Sequence, residues 1–152
     1  PNDNTLQPEE TMAIITGANM SGKSTYLRQL PLLVIMAQIG SRLPADCARI
    51  PVYRHMFSRI GSDDDLESNT STFTMEMKEV ADILETADED SLVIIDELGR
   101  GTSTIDGMSI AAAVCEKLLA IKSSVFMATH YTGLVDYLGG LIGVKVMRTL
   151  TD

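Results

Sequence analysis

Short apolar runs alternate with longer segments of helical periodicity along the 152-residue chain. Three runs have the length and apolar content of strands that are buried on both faces: residues 12–16, 91–95 and 124–129. Three other segments have the length and spacing of helices: residues 23–39, 70–86 and 107–122. Because strands alternate with helices, the pattern predicts an α/β fold with a largely parallel sheet flanked by helices.

Shorter segments with weaker patterns complete this prediction: strand candidates at residues 48–52, 55–60 and 141–147, and a short helix at residues 131–138. Pro51 favours an edge position or a break, since proline cannot donate to a strand ladder. Pro31 lies inside the first predicted helix and removes one backbone donor there. We therefore expect a bend or a local break at Pro31.

Composition and charge narrow the class of protein. The chain is 45% hydrophobic and 22% charged, which is typical of a soluble globular domain, and its length suits one domain over residues 1–152. Its net charge is −9, whereas surfaces that hold nucleic acid are usually basic, so we do not expect this segment to bind DNA or RNA by itself. No apolar run reaches the roughly 18 residues of a membrane span.

The termini and the cysteines add two expectations. The polar start at Pro1, without an initiating Met, suggests a piece of a longer protein. Cys47 and Cys115 are the only cysteines and form no CxxC pair. We expect them to be buried, reduced thiols.

The strongest motif follows the first predicted strand and precedes the first predicted helix. It fits the phosphate-loop pattern GxxxxGK[ST] in full and reads Gly17, Ala18, Asn19, Met20, Ser21, Gly22, Lys23, Ser24. Glycines at both ends permit a loop whose N–H groups point inward and bind phosphate, and the following helix adds its positive end. Lys23 would contact the β- and γ-phosphates, and Ser24 would ligate Mg²⁺.

A second motif ends the strand over 91–95, where Asp96 and Glu97 reach the carboxyl edge of the sheet. Asp96 is predicted to hold the magnesium shell, and Glu97 to orient or deprotonate a water that attacks the γ-phosphate. His130 follows the strand over 124–129 and reaches the same edge. It is a candidate for a hydrogen bond to the γ-phosphate or the water, with helix capping as the alternative.

Taken together, these segments resemble the ATPase domain of the MutS DNA-repair family. The resemblance covers nearly the whole chain and is carried by five segments in order: residues 16–29, 36–45, 71–77, 96–107 and 128–131. It implies an ABC-like P-loop NTPase fold and an ATP hydrolase that uses ATP and Mg²⁺. Ala18 departs from the family, which usually has proline at this position.

The resemblance also implies roles that the residues alone do not. In that family the nucleotide lies between two subunits. The phosphate loop, Asn19 and Thr25 would bind ATP within one subunit, and Ser71 would reach the γ-phosphate of the partner's nucleotide. Without the resemblance, Ser71 is simply a helix cap. The loop over 99–104 would lie at the dimer interface, and other domains of the full protein would bind DNA.

Within the family, residues 61–73 and Ser21 are similar to the meiotic branch, that of the homologue numbered four. This similarity implies a heterodimer with a second MutS homologue, action in recombination and crossover formation, and a nuclear location.

Three alternatives remain. The chain could be the ATPase domain of a mismatch-repair MutS homologue. It could be a small-molecule kinase, although the five Arg between the phosphate loop and Asp96 form no cluster that would cover a transferred phosphoryl group. It could also be a binding module that uses ATP only to join two subunits.

Overall fold

A computed structural model of the chain describes residues 4–18, 21–61 and 69–149, with only the backbone described for residues 69–72. The strands are β1 (Met12–Thr16), β2 (His55–Ile60), β3 (Ser91–Asp96), β4 (Ser124–Ala128) and β5 (Val144–Arg148). The helices are α1 (Lys23–Gln38), α2 (Asn69–Thr86), α3 (Thr104–Ile121) and α4 (Thr132–Gly139). Among the described helices, none is both long and apolar enough to cross a bilayer.

All five strands form one parallel sheet in the order β2-β3-β4-β1-β5. The three inner strands are the ones that the apolar runs predict, because each is covered on both faces and needs apolar side chains at every position. A parallel sheet also brings the carboxyl ends of all strands to one edge. The registry aligns Asp96 of β3 with Ala128 of β4, and Ile15 of β1 with the same Ala128.

The core lies in two layers, one on each face of the sheet. Helix α1 covers one face, where Leu27 and Leu30 pack with Ala13, Ile15 and other inner-strand residues. Helices α2, α3 and α4 cover the opposite face. Alternate residues of each inner strand enter opposite layers, as the pleat requires.

Several predicted boundaries change. Residues 48–52 form no strand and are mostly exposed, and only His55–Ile60 pairs with β3, as the edge strand β2. Pro51 removes a donor in the first of these segments, so the prediction of two strands was wrong. Helix α1 continues unbroken through Pro31, which disproves the local break.

Helix α3 begins at Thr104, three residues before the predicted start at Gly107. Ser103 caps it, since its hydroxyl accepts from the Asp106 N–H at 3.2 Å and donates to the Asp106 carboxylate at 2.7 Å. Of the two cysteines, Cys115 is buried as predicted, but Cys47 is exposed. The expectation of two buried thiols was therefore half wrong.

Candidate functional site

The glycine-rich loop between β1 and α1 turns sharply at its two glycines. Gly17 has φ +153° and Gly22 has φ +87°, angles that side-chain-bearing residues rarely adopt. Gly17 also lacks room for a side chain, because a Cβ there would collide with the Thr149 hydroxyl after β5. Gly22 precedes α1 and provides no side-chain cap. The first N–H groups of a helix point toward its N-terminus, here toward the loop, and none of them is bound by a capping side chain. Asn19 and Met20 lie outside the described residues.

Lys23 is the first residue of α1 and is only 5% exposed. Its ammonium donates to the carbonyl oxygens of Gly17 and Ala18, both at 2.9 Å. A buried ammonium needs such acceptors, and here the loop itself supplies them. The lysine cation is therefore fixed inside the curve of the loop.

The loop is also hydrogen-bonded to the end of the edge strand β5, which pairs with β1. The hydroxyls of Ser21 and Thr149 lie 2.6 Å apart and share a hydrogen bond. The Thr149 N–H donates to the Thr16 carbonyl at 2.9 Å, which extends the β1–β5 pairing to the loop. The end of β5 thereby supports the loop from outside. Of the next two residues in α1, Ser24 is half-buried and Thr25 is exposed.

Asp96 ends β3 and is 9% exposed. Its Oδ1 is buried and has no hydrogen-bond partner among the described residues. A buried carboxylate oxygen without a donor is costly unless a cation or another ligand satisfies it. Carboxylate and hydroxyl oxygens are ligands that a hard cation such as Mg²⁺ prefers, and Ser24 is the second oxygen donor that the sequence predicts.

Glu97 follows Asp96 in a left-handed backbone conformation, with φ +56°. Its N–H donates to the Ala128 carbonyl at 3.0 Å, which anchors the turn to β4. The side chain is 10% exposed, and Oε2 makes an ionic contact with the Arg100 guanidinium and lies 3.7 Å from His130 Nδ1. No hydrogen bond of suitable geometry reaches that oxygen from the part of the chain that is described. The carboxylate is thus nearly buried with two basic groups beside it.

His130 follows β4 and is about half exposed, with a side-chain exposure of 45%. Its ring packs at a tilt against the ring of Tyr131, with centroids 4.3 Å apart. It does not cap α4, the helix that follows it: Tyr131 occupies the N-cap position, with no side-chain hydrogen bond there. His130 therefore lies at the sheet edge beside Glu97, with nearly half of its side chain exposed.

The sheet order brings these groups together. Strand β4 lies between β1 and β3, so the ends that carry Gly17, His130 and Asp96 are consecutive along one edge. With parallel strands about 4.8 Å apart, the outer two ends are separated by about 10 Å. Lys23 and Asp96 therefore face the same edge, not opposite sides of the molecule.

Residues 13–149 match the protein family described as MutS domain V. The chain belongs to the MutS family. It is similar to the DNA mismatch repair protein MutS of Syntrophomonas wolfei, with 54% identity over 96% of the chain and 18% of that relative. It is also similar to the MutS protein homolog 4 of the mouse, with 52% identity over 88% of the chain and 14% of that relative. The MutS of Fervidobacterium nodosum is 49% identical over 95% of the chain and 18% of its own length. The chain spans less than a fifth of each of these relatives.

Some predicted residues of this MutS domain are located only in part. Ser71 lies in the first turn of α2, and its side chain is outside the described residues. The loop over 99–104 connects β3 to α3, with Gly99 at φ +84°. Neither position is joined to the phosphate loop by a described contact.

Sequence reasoning missed three residues of this MutS domain that contact the site or its supporting turn. Thr149 contacts the phosphate loop, Glu76 accepts from Gly99, and the Tyr131 hydroxyl donates to the same Gly99. These contacts span 128, 23 and 32 positions. No local pattern indicates pairings at such separations, although Glu76, a charged residue on the otherwise apolar face of a predicted helix, was a usable signal.

Proposed function

We propose that this MutS domain V binds ATP with Mg²⁺ and hydrolyses it, as the ATPase domain of a DNA-binding MutS protein. The observation that carries the proposal is the convergence of three groups at one sheet edge. These are the phosphate loop with its buried Lys23, the unpartnered Oδ1 of Asp96, and the nearly buried carboxylate of Glu97. Family membership and the full GxxxxGK[ST] pattern support the same activity.

Each residue has a distinct part in the proposed reaction. Backbone N–H groups over residues 17–25 bind the phosphate oxygens, and the Lys23 ammonium exchanges its loop carbonyls for the β- and γ-phosphates. Ser24 and Asp96 hold Mg²⁺, which neutralises charge on the phosphates when bound. Asn19 and Met20 belong to the same loop in this proposal.

Glu97 accepts the proton of the attacking water or orients that water toward the γ-phosphate. Its position one residue beyond the proposed metal-binding aspartate, at the same end of β3, supports this role. His130, 3.7 Å from Glu97, completes the site as a donor to the water or the γ-phosphate. Arg100 contacts the same carboxylate and must release it for proton transfer.

The assembly is proposed by family resemblance. Two subunits would enclose the nucleotide, with Ser71 of one subunit reaching the γ-phosphate bound by the other. ATP binding would close the dimer, and hydrolysis would reset a DNA clamp formed by other domains. The net charge of −9 supports placing DNA contacts outside this segment.

For the branch of the family, we propose the meiotic one, with a heterodimeric partner, a role in recombination and crossover formation, and a nuclear location. Mismatch repair is an equally supported alternative, since identities of 54% and 52% to the bacterial MutS and the mouse homolog do not separate the branches. The affinities of the full-length dimer for a four-way junction and for a mismatched duplex would decide between the two branches. Preference for the mismatch would contradict the meiotic assignment.

A small-molecule kinase is less well supported. Two of the five arginines between the loop and Asp96 are engaged in ion pairs, Arg54 with Asp90 at 3.2 Å and Arg59 with Glu79 at 2.8 Å. Both arginines thus already pair with carboxylates of this chain, which weakens the case for a cluster that covers a transferred phosphoryl group.

The proposal is tested by Glu97→Gln in the full-length dimer. Removal of a general base lowers hydrolysis by about 100- to 10,000-fold, so phosphate release should fall by at least the lower figure while ATP binding persists. Glu89→Gln is the matched control, because Glu89 is exposed just before β3, at the opposite edge of the sheet.

Three other outcomes are informative. Equal rates for Glu97→Gln and wild type would remove Glu97 as the base. A loss of ATP binding in Glu97→Gln would assign it to binding instead. If the wild type bound ATP but released no phosphate, the module would use ATP only to join subunits.

A further inference from the structure

Gly99, two residues after Glu97, is bound through both of its backbone groups by residues that the proposed reaction does not use. Its N–H donates to Glu76 Oε1 of α2 at 3.2 Å. Its carbonyl accepts from the Tyr131 hydroxyl at 3.1 Å. Glu76 is 4% exposed and Tyr131 is 6% exposed. We call these two hydrogen bonds the Gly99 anchor.

The turn that carries the anchor is also tightly packed. Gly99 has φ +84°, and a Cβ there would lie 2.6 Å from the Gly107 Cα of α3. A Cβ on Gly101 would lie 2.8 Å from the Phe73 Cβ of α2. The turn therefore packs at Gly99 against the backbone of α3 and at Gly101 against α2. Between the anchor and Glu97 stands only Leu98, which is fully buried.

Burial of the Glu76 carboxylate is unfavourable in free energy unless the carboxylate makes a specific interaction. Its nearest described cation, Arg59, lies 3.8 Å away and already pairs with Glu79 at 2.8 Å. Burial raises the pKa of Glu76, and the Gly99 N–H and Arg59 offset that effect only in part. A leucine would fill this position of α2 without that cost. The feature that a leucine could not provide is an acceptor for the Gly99 N–H.

We infer that Glu76 and Tyr131 are positioning residues for Glu97, because the Gly99 anchor fixes the turn that sets where the Glu97 carboxylate lies. This inference rests on the proposed function, since it assigns them to the same reaction. The anchor joins α2, which carries Ser71, to the turn that carries Glu97. Among the described residues it contacts neither the phosphate loop nor Lys23, so we assign it to the hydrolysis step and not to nucleotide binding.

The test compares three variants of the full-length dimer. Glu76→Leu removes the acceptor, Tyr131→Phe removes the donor, and Glu76→Gln keeps an oxygen that can accept from Gly99. In the first two, kcat should fall by about 10- to 100-fold with KM for ATP unchanged, as expected for a small displacement of a reacting group. Glu76→Gln should retain most of the wild-type kcat. The controls are Glu85→Leu, exposed in the last turn of α2, and Tyr137→Phe on α4.

A second measurement does not depend on activity. Hydrogen exchange of the peptide that covers residues 97–101 should accelerate in Glu76→Leu and Tyr131→Phe but not in the controls. If Glu76→Leu does not fold, Tyr131→Phe decides alone, because it deletes only one hydroxyl.

The outcomes separate this inference from the proposed function. Wild-type kcat and unchanged exchange in Tyr131→Phe would overturn the inference and leave the ATPase proposal intact. A raised KM with unchanged kcat would also overturn it. A wild-type dimer that releases no phosphate would overturn both.

Discussion

The backbone at Glu97 has a conformation that few non-glycine residues adopt. With φ +56°, it costs on the order of 1 kcal/mol or more, and the surrounding structure must compensate. The hydrogen bond from its N–H to Ala128 and the contacts of its carboxylate with Arg100 and His130 provide that compensation. The proposed function gives the two adjacent carboxylates different tasks, and the left-handed turn begins at the second of them.

The hydrogen bond between Ser21 and Thr149 predicts a residue that tunes nucleotide affinity from outside the loop. Thr149→Val keeps the side-chain shape but removes the hydroxyl that bonds Ser21 at 2.6 Å. A hydrogen bond is worth about 0.5–1.5 kcal/mol, so the less ordered loop should raise the Kd for ATP by about 2- to 10-fold.

Binding of a fluorescent ATP analogue to the full-length dimer measures this effect. Thr86→Val, at the exposed end of α2, is the control. If the effect arises from the hydrogen bond between Ser21 and Thr149, the Kd of the double variant Ser21→Ala/Thr149→Val should not exceed the higher of the two single-variant Kd values. Additive losses, or an unchanged Kd, would contradict the pairing.

At the scale of elements, the crossing of α3 with the turn after β3 depends on two glycines. Gly107 lies in the first turn of α3, where alanine normally stabilises a helix by about 0.5–1 kcal/mol. A Cβ at this position would lie 2.5 Å from both the Gly99 carbonyl oxygen and the Tyr131 hydroxyl. Gly107→Ala should therefore destabilise the protein by about 1–3 kcal/mol, because overpacking forces the turn to move.

Urea unfolding of Gly107→Ala and of Gly133→Ala measures the difference. Gly133 lies in α4, and its added Cβ would meet the flexible Met108 side chain with 3.1 Å to Sδ. That substitution should be neutral or slightly stabilising, since a methionine tip can shift. Equal changes in the free energy of unfolding for the two substitutions would show that the contact between residue 107 and Gly99 does not cause the destabilisation.

The same elements show how far the sequence predicts this structure. The inner strands are encoded locally as unbroken apolar runs, and their prediction is confirmed. The glycines at fixed spacing indicate a phosphate loop between β1 and α1, and its binding of phosphate stays a prediction. The segment over 48–52 was predicted wrongly because a short apolar run has the same pattern whether or not it pairs. The contacts that hold the turn at Gly99 were signalled only by Glu76, a charged residue on an apolar helix face, since the partners Glu76 and Tyr131 are 23 and 32 positions away.

At the scale of the molecule, the proposed site lies at one edge of the sheet, and the core lies in two layers behind it. Asp96, Glu97 and Lys23 are polar groups that are nearly buried, yet each is at a strand end or a helix start. Apolar residues fill the inner strands up to those ends. Burial of these charged groups is unfavourable, so the two apolar layers must compensate for it. A charged ligand, as proposed above, would stabilise the folded state further.

The two cysteines provide a measure of the integrity of that core. Cys47 is exposed, whereas Cys115 is fully buried in α3 with its Sγ 3.3 Å from Met127 Sδ of β4. Burial, together with the neighbouring Glu116 carboxylate, raises the pKa of the Cys115 thiol to about 12. Because the thiolate is the reactive form, Cys115 should react with an alkylating reagent only when the core opens.

Peptide mapping after timed alkylation at pH 8 tests this in the native protein. Cys47 should be modified at the rate of a free thiol, and Cys115 many times more slowly, with equal rates once denaturant unfolds the chain.

The rate of Cys115 modification should also depend on pH. Above the ordinary cysteine pKa of about 8.5, the unfolded state loses a proton that the folded state keeps, so rising pH favours unfolding and should further accelerate Cys115 modification. Comparable native rates for the two cysteines at pH 8 would mean that α3 does not pack against β4 as described.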